Sequence, residues 1–232
     1  MLAIEEEEEK NIFTGLELIE DRGKQVEAHV GALTYEGLES PILLAQDSAG
    51  GCGGMKWEAA DVMIDYFIWK HKEASEFLEN KTVVELGAGT GLVGLAVAKL
   101  YRTKKVILTD QMPMMNLMQE NIKLNKLEER MKAEILNWGE EIPEGSELLD
   151  VDIVLASDCV YLEVAFIPLL ETLLALAKKD TVIYLAYKKR RKADKRFFQL
   201  ARKKFELIEV QDDPKREEYN KKGLRFYIFK RK

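Results

Sequence analysis

Sulfur and imidazole are scarce in this chain. Cysteine occurs only at Cys52 and Cys159, and histidine only at His29 and His71. The cysteines are far apart and fit no metal or redox spacing, and the histidines are isolated, so neither a metal centre nor a disulfide framework is expected. Long apolar runs are missing as well: none approaches the roughly 20 residues that cross a bilayer. The first ten residues, MLAIEEEEEK, are acidic where signal and transit peptides are basic, so no targeting segment is expected. What is present suits a globular chain: 232 residues, 47% hydrophobic and 33% charged, enough for one domain with a small appendage and a sizeable core. A cytosolic protein is the expectation, with nuclear entry left open. The net charge of −6 is uneven. Glu5 to Glu9 read as a solvated acidic tip, and Lys188 to Arg196 (KKRRKADKR) as a basic block. That block reads either as a solvated helix start or as a surface for an acidic partner. An acidic chain gives no reason to expect general nucleic-acid binding.

Against this background Thr82 to Gly94, TVVELGAGTGLVG, stands out. An apolar run stops at Gly87, Gly89 and Gly91, and a helical pattern follows. Strand, tight turn and helix bring bare backbone against a nucleotide, and glycine permits both positive φ and close approach. Asp110 ends the next apolar run, KKVILTD, at the distance expected of a carboxylate that binds ribose hydroxyls. The spacing also satisfies the dinucleotide fingerprint from Gly89 to Gly94, but the register differs: Gly87 already follows the strand, and Glu85 lies two residues before it. An adenosine-bearing cofactor is expected.

Along the chain, residues 11–20 and 25–33 read as strands joined by a turn at 21–24, and 50–54 (GGCGG) as a flexible loop. Helices are expected over 57–70, 91–101, 114–125, 165–178 and 191–203. Strands are expected over 82–86, 105–109, 132–136, 151–157, 181–187, 205–210 and 224–230, with 211–223 as a charged loop. Strands alternating with helices imply a mostly parallel α/β sheet with helices on both faces. The last two strands, with no helix between them, should pair antiparallel. Gly87, Asp110, Trp138 and Asp158 all fall at the carboxyl ends of strands, the rim where such sheets bind ligands.

An open sheet with a terminal antiparallel hairpin, the run ELGAGTG and a carboxylate after the second strand resembles the seven-stranded S-adenosylmethionine-dependent methyltransferases. Gly53-Gly54-Met55-Lys56-Trp57, Asn137-Trp138-Gly139 and Asp158-Cys159-Val160-Tyr161 resemble elements of the protein-lysine methyltransferase branch. Together these motifs cover roughly residues 50 to 190. The resemblance implies a Rossmann-like sheet with an antiparallel C-terminal strand and an N-terminal β-hairpin extension. It divides the chain into an acidic tip (1–10), N-terminal strands with a Gly-rich loop (11–56) and a methyltransferase domain (57–232). It implies S-adenosylmethionine bound by Trp57, Glu85, Gly87, Ala88, Gly89, Asp110, Trp138 and Ser157, with the adenine beside Trp138. Asp158 and Tyr161 are implied as the reaction centre, with Tyr187 shaping the lysine channel. Cys159 shows no sign of being a nucleophile. Two stretches, ASDCVYLEVAF and LAYKKRRKADKRFF, further resemble enzymes that methylate a lysine of translation elongation factor 1-alpha, which implies that protein as partner and a monomeric enzyme. Other readings stay open here: a lysine of another protein such as a chaperone, a small molecule, a catalytically silent binding module, or a nicotinamide-dependent oxidoreductase. A nucleic-acid enzyme of this fold usually carries N-P-P-Y where this chain has S-D-C-V-Y.

Overall fold

The computed structural model describes residues 29–47 and 52–232. Its elements in chain order are β1 (His29–Leu33), β2 (Ile42–Gln46), α1 (Glu58–Glu73), β3 (Thr82–Leu86), α2 (Leu92–Leu100), β4 (Lys105–Asp110), α3 (Met115–Leu124) and β5 (Met131–Ile135). Then follow β6 (Ile153–Ser157), α4 (Phe166–Leu176), β7 (Val182–Lys188), α5 (Asp194–Ala201), β8 (Phe205–Glu209), α6 (Arg216–Lys221) and β9 (Leu224–Arg231). Seven strands form one sheet in the order β5-β4-β3-β6-β7-β9-β8. Parallel pairing runs from β5 to β7. The last strand, β9, enters antiparallel between β7 and β8. The expected sheet, including its antiparallel C-terminal strand, is present.

The apolar pattern explains the layering. Successive residues of a strand point to opposite faces, so Val83 joins one core and Val84 the other. On the first face lie α1, α2 and α3, contributing Phe67, Leu95 and Met118 among others. On the second lie α4 and α5, contributing Leu169, Leu173 and Phe197. Ile153 to Ala156 of β6 are buried throughout, as befits a strand covered on both sides. The chain leaves β3 in one direction to build β4 and β5, then returns to build β6 on its other side. The resulting crevice at the carboxyl ends of β3 and β6 is where such sheets take ligands.

Three expectations are corrected. The strand expected over 11–20 and the turn at 21–24 lie outside the described residues. Within them, β1 pairs antiparallel with β2, His29 opposite Gln46 and Leu33 opposite Ile42, so the partner of this strand among the described residues is a segment not read as a strand. The fifth major helix begins at Asp194, not at residue 191. Asp194 is buried, and its Oδ2 accepts hydrogen bonds from the backbone N–H groups of Arg190 and Arg191, both at 3.0 Å. That closes a turn before the helix and leaves Lys188 to Lys192 outside it. The charged stretch 211–223 is not all loop: it contains α6, anchored by the buried Tyr219.

The β1–β2 hairpin is not part of the large sheet. Two asparagines, one on α3 and one at its C-terminal cap, tie it down by imitating a strand edge. The buried Asn121 accepts from Ala45 N–H at 2.6 Å and donates to the carbonyls of Ala45 at 3.0 Å and Thr90 at 2.9 Å. One turn later Asn125 accepts from Leu43 N–H at 3.0 Å and donates to its carbonyl at 2.7 Å. Because Thr90 belongs to the glycine turn, Asn121 couples hairpin and turn. Replacing Asn121 with Leu strands three backbone groups, each costing about 1–3 kcal/mol when buried without a partner. Asn121→Leu should therefore lower the free energy of urea unfolding by at least about 2 kcal/mol. A change below about 0.5 kcal/mol would show that the clamp contributes nothing.

Candidate active site

The turn after β3 has no space for side chains. Gly87, Gly89 and Gly91 all have positive φ, at 56°, 55° and 76°. A Cβ on Gly87 would stand 2.8 Å from Cζ2 of Trp138, and one on Gly89 would stand 2.3 Å from the carbonyl oxygen of Gly53. The turn is thus pressed between the loop after β5 and the segment before α1. Left-handed backbone with a close neighbour is a position only glycine fills without strain.

Above this turn opens a cavity of about 870 Å³. Its walls include Trp57, Glu85, Gly87, Ala88, Gly89, Asp110, Trp138, Ser157, Asp158 and Tyr161. The structure therefore brings together at one cavity all but one of the residues singled out from sequence. The exception is Tyr187, which does not line it. This tyrosine is 6% exposed and packs against Phe198 and Tyr227, at ring separations of 4.7 and 6.4 Å. Its place in the strand sends the side chain into the core beneath α5, so the expected role in a lysine channel is corrected to a packing role.

Each acidic group at the glycine turn has a defined partner. Asp110 closes β4. Its Oδ2 accepts from Gly89 N–H and its Oδ1 from Gln111 N–H, each at 2.7 Å. Burial nonetheless raises its carboxyl above the ordinary value, against the pull of those two bonds. Glu85 lies one layer lower, 2% exposed, and its Oε2 accepts from Gly94 N–H at 2.7 Å. It caps the free N–H groups at the start of α2. Desolvation lifts its pKa from 4.5 to about 8, opposed by the bond from Gly94 and aided by the charge on Asp110. Cys159 is buried, donates to the Leu86 carbonyl at 3.2 Å and has a thiol raised by burial, so it is inert as a nucleophile.

The far wall is built from the loops after β6 and β7. Asp158 sits in left-handed backbone, φ 59°, and its N–H donates to the Ala186 carbonyl at 2.8 Å. Its carboxylate accepts two parallel bonds from one guanidinium: Arg190 Nη1 to Oδ1 at 2.7 Å and Nη2 to Oδ2 at 2.6 Å. The Lys188 N–H adds a third, to Oδ1 at 3.1 Å. The same guanidinium lies 5.6 Å from the ring centre of Trp57, whose Nε1 donates to the Cys52 carbonyl at 2.8 Å. Burial and a bond with Cys52 raise the Tyr161 phenol, which keeps its proton at neutral pH.

Arg190 is the site residue that reading the sequence missed. The basic block was visible, but as a surface. In the structure Arg190 turns to Asp158, Arg191 donates to the Tyr161 carbonyl and Lys188 pairs with Glu58. Arg196 pairs with Glu163 at 2.8 Å. A signal was available: an aspartate expected at a crowded rim needs a cation, and the next strand runs into five of them, Lys188 to Lys192. Among the described residues no group of three or more acidic, histidine or cysteine side chains is arranged to hold a metal. No helix there is long and apolar enough to cross a membrane.

Comparison with known proteins gives concordant findings. Residues 38–204 match the family model described as lysine methyltransferase. A protein-lysine N-methyltransferase of Saccharomyces cerevisiae, EFM6, is 38% identical, covering 96% of this chain and 100% of the relative. Protein N-lysine methyltransferase METTL21A of Danio rerio is 36% identical over 76% of this chain and 79% of its own. Among solved structures, P. horikoshii TYW2 in complex with MeSAdo superposes with a TM-score of 0.54 at 18% identity, covering 88% of this chain and 70% of that one. At that identity the likeness concerns the fold.

Glu85 yields a prediction on stability. Its folded pKa of about 8 exceeds the ordinary 4.5, so between these values the folded state holds a proton that the unfolded state has released. The stabilisation is full below the lower value and is lost as pH rises through the upper one. In Glu85→Gln this fall should disappear. Melting temperatures of the two proteins, compared across that interval, should converge as pH rises if the variant starts lower, or diverge if it starts equal. A constant difference at all pH values would show that Glu85 does not titrate there.

Proposed function

We propose, for a chain that belongs to the lysine methyltransferase family, that its substrate is a lysine of translation elongation factor 1-alpha, modified in the cytoplasm by the monomeric enzyme. The reaction is S-adenosylmethionine-dependent protein-lysine N-methylation. The observation that carries the substrate reading is the meeting of two segments. Residues 156–166 and 185–198 are the stretches that resemble elongation-factor methyltransferases, and the Asp158–Arg190 pair joins them at the wall of the cavity.

The residues fit the cofactor. When bound, S-adenosylmethionine would supply a methyl group on a positive sulfonium sulfur, open to in-line attack by an uncharged amine with the neutral thioether as leaving group. Gly87, Ala88 and Gly89 are assigned to its methionine and ribose portion, since the two glycines carry no side chain and the residue between them only a methyl. Asp110 is assigned to the ribose hydroxyls. Its carboxylate is already fixed by two backbone N–H groups, so orienting it at binding costs little further entropy. Trp138 and Trp57 supply apolar walls; an aromatic stacked on a base contributes about 1–3 kcal/mol. Ser157 acts through its backbone at the end of β6. Glu85 supports the cradle from below through α2.

For the acceptor lysine the first requirement is loss of its proton. With an ordinary pKa near 10.4, neutralising it at pH 7 costs about 4–5 kcal/mol. Burial and a nearby positive charge both reduce that cost. Asp158 and Tyr161 are assigned to hold the amine in line. Positioning of this kind removes much of a bimolecular barrier.

Incubating tritium-labelled S-adenosylmethionine and the enzyme with a cytosolic extract lacking it should label one band, identified by mass spectrometry as elongation factor 1-alpha with the methyl on lysine. Label on a different protein would keep the reaction and discard the substrate. Asp158→Ala should abolish transfer with the fold intact by circular dichroism; full activity would place the reaction centre elsewhere. Asp110→Ala should weaken cofactor binding by about 10- to 100-fold in calorimetry, the equivalent of lost charge-assisted hydrogen bonds. Unchanged affinity would remove Asp110 from the cofactor site.

A further inference from the structure

A bare carboxylate beside the acceptor lysine is a liability for this reaction. It attracts the ammonium and so holds on to the proton that must leave before nitrogen can attack. Asp158 is not bare. Its side chain is 6% exposed, and all the bonds to it come from the backbone of Lys188 and the two-pronged grip of Arg190. Such parallel pairing is the strongest and most directional form of carboxylate recognition. Arg190 is itself held at both ends. Asp194 fixes its backbone N–H, and Trp57 lies against its guanidinium.

We propose that Arg190 is a positioning residue for methyl transfer: by pairing with Asp158 it presents the incoming lysine with a neutral, immobile pair in place of a free negative charge. The inference rests on the assignment of Asp158 to the reaction centre. The pair does two things at once. It cancels the field that would keep the substrate ammonium charged, and it locks the loops after β6 and β7 in one arrangement, so that the amine is oriented by groups already fixed.

Other charged groups around the pair set the background. Glu58 from α1, Asp194 from α5 and Arg191 from the same loop stand nearest, with the Lys188 ammonium on Glu58. Lys56, Asp110, Glu140 and Glu171 face the cavity from other walls, and Tyr161 and Cys159 keep their protons. None of the acidic groups among these is aligned with Asp158 as Arg190 is, so removing Arg190 exposes one unmatched negative charge at the cavity.

The test is the pH dependence of the single-turnover methyl-transfer rate, measured with the full chain, saturating S-adenosylmethionine and saturating protein substrate. In the natural protein the rate rises as the bound lysine loses its proton. In Arg190→Met the midpoint of that rise should move up by about one to two pH units, the displacement expected from an unpaired carboxylate nearby. Arg190→Gln, which keeps a hydrogen-bond donor without the charge, should show the same displacement. Arg190→Lys, which keeps the charge without the fork, should slow the reaction and leave the midpoint in place. A uniform loss of rate with an unmoved midpoint in both Met and Gln variants would overturn the inference and reduce Arg190 to a structural tie. Failure of the underlying assignment looks different: Asp158→Asn alone would then leave the rate unchanged. Melting temperature and cofactor affinity, followed in every variant, identify any that are misfolded, and the Gln and Lys variants still decide the question if the Met variant is among them.

Discussion

The structure depends on the absence of space beneath one turn. Three alternating glycines after β3 are held in left-handed backbone, with the Trp138 ring closing on the first and the Gly53 carbonyl on the second. A nucleotide-binding turn is usually explained by what the ligand needs. Here the protein itself already demands glycine, because a methyl group at Gly87 or Gly89 would collide with neighbouring protein atoms. The cavity floor is consequently set by packing before any ligand arrives. That is the kind of preorganisation that lets binding energy go into orientation instead of rearrangement.

Around this fixed floor the acidic groups divide their work by depth. Glu85, sealed off and capping α2, holds the turn to the helix that follows. Asp110, at the rim, is braced by backbone N–H groups yet still borders the cavity. Asp158, on the opposite wall, is matched by a guanidinium. Left unmatched, these three carboxylates would repel one another. Their separate partners, a helix start, a pair of amides and an arginine, let them coexist. The Asn121 clamp extends the same frame outwards by tying Ala45 of the hairpin and Thr90 of the turn to α3.

Much of this was legible in the residue order. The alternation of apolar strands with helical spacing identified the parallel sheet, and the residues at strand ends converged on one cavity, because both follow from short-range periodicity. What escaped depends on partners distant in sequence. The segment ILLAQ is a strand because β1 lies beside it and asparagines 76 and 82 residues later satisfy its outward edge. The helix REEYNK has Tyr219 as its only large apolar residue, too little for a periodic signal. Tyr187 was assigned by its position at a strand end, but the two-residue period of the strand decides the face, and its face is the core under α5. Arg190 was hidden within a run of like charges, where nothing local distinguishes the one that turns inwards.

The position of β9 carries a consequence for how the protein is made. Of the sheet's seven strands, the last in chain order lies inside it, between β7 and β8. As the chain leaves the ribosome, β3 to β7, with the whole glycine turn and both walls of the cavity, can assemble while β8 still lacks a neighbour. Until β9 emerges, β7 presents an open hydrogen-bonding edge, the type of surface that recruits other nascent chains. The part of the chain that lines the cavity thus emerges before the strand that covers the edge of β7.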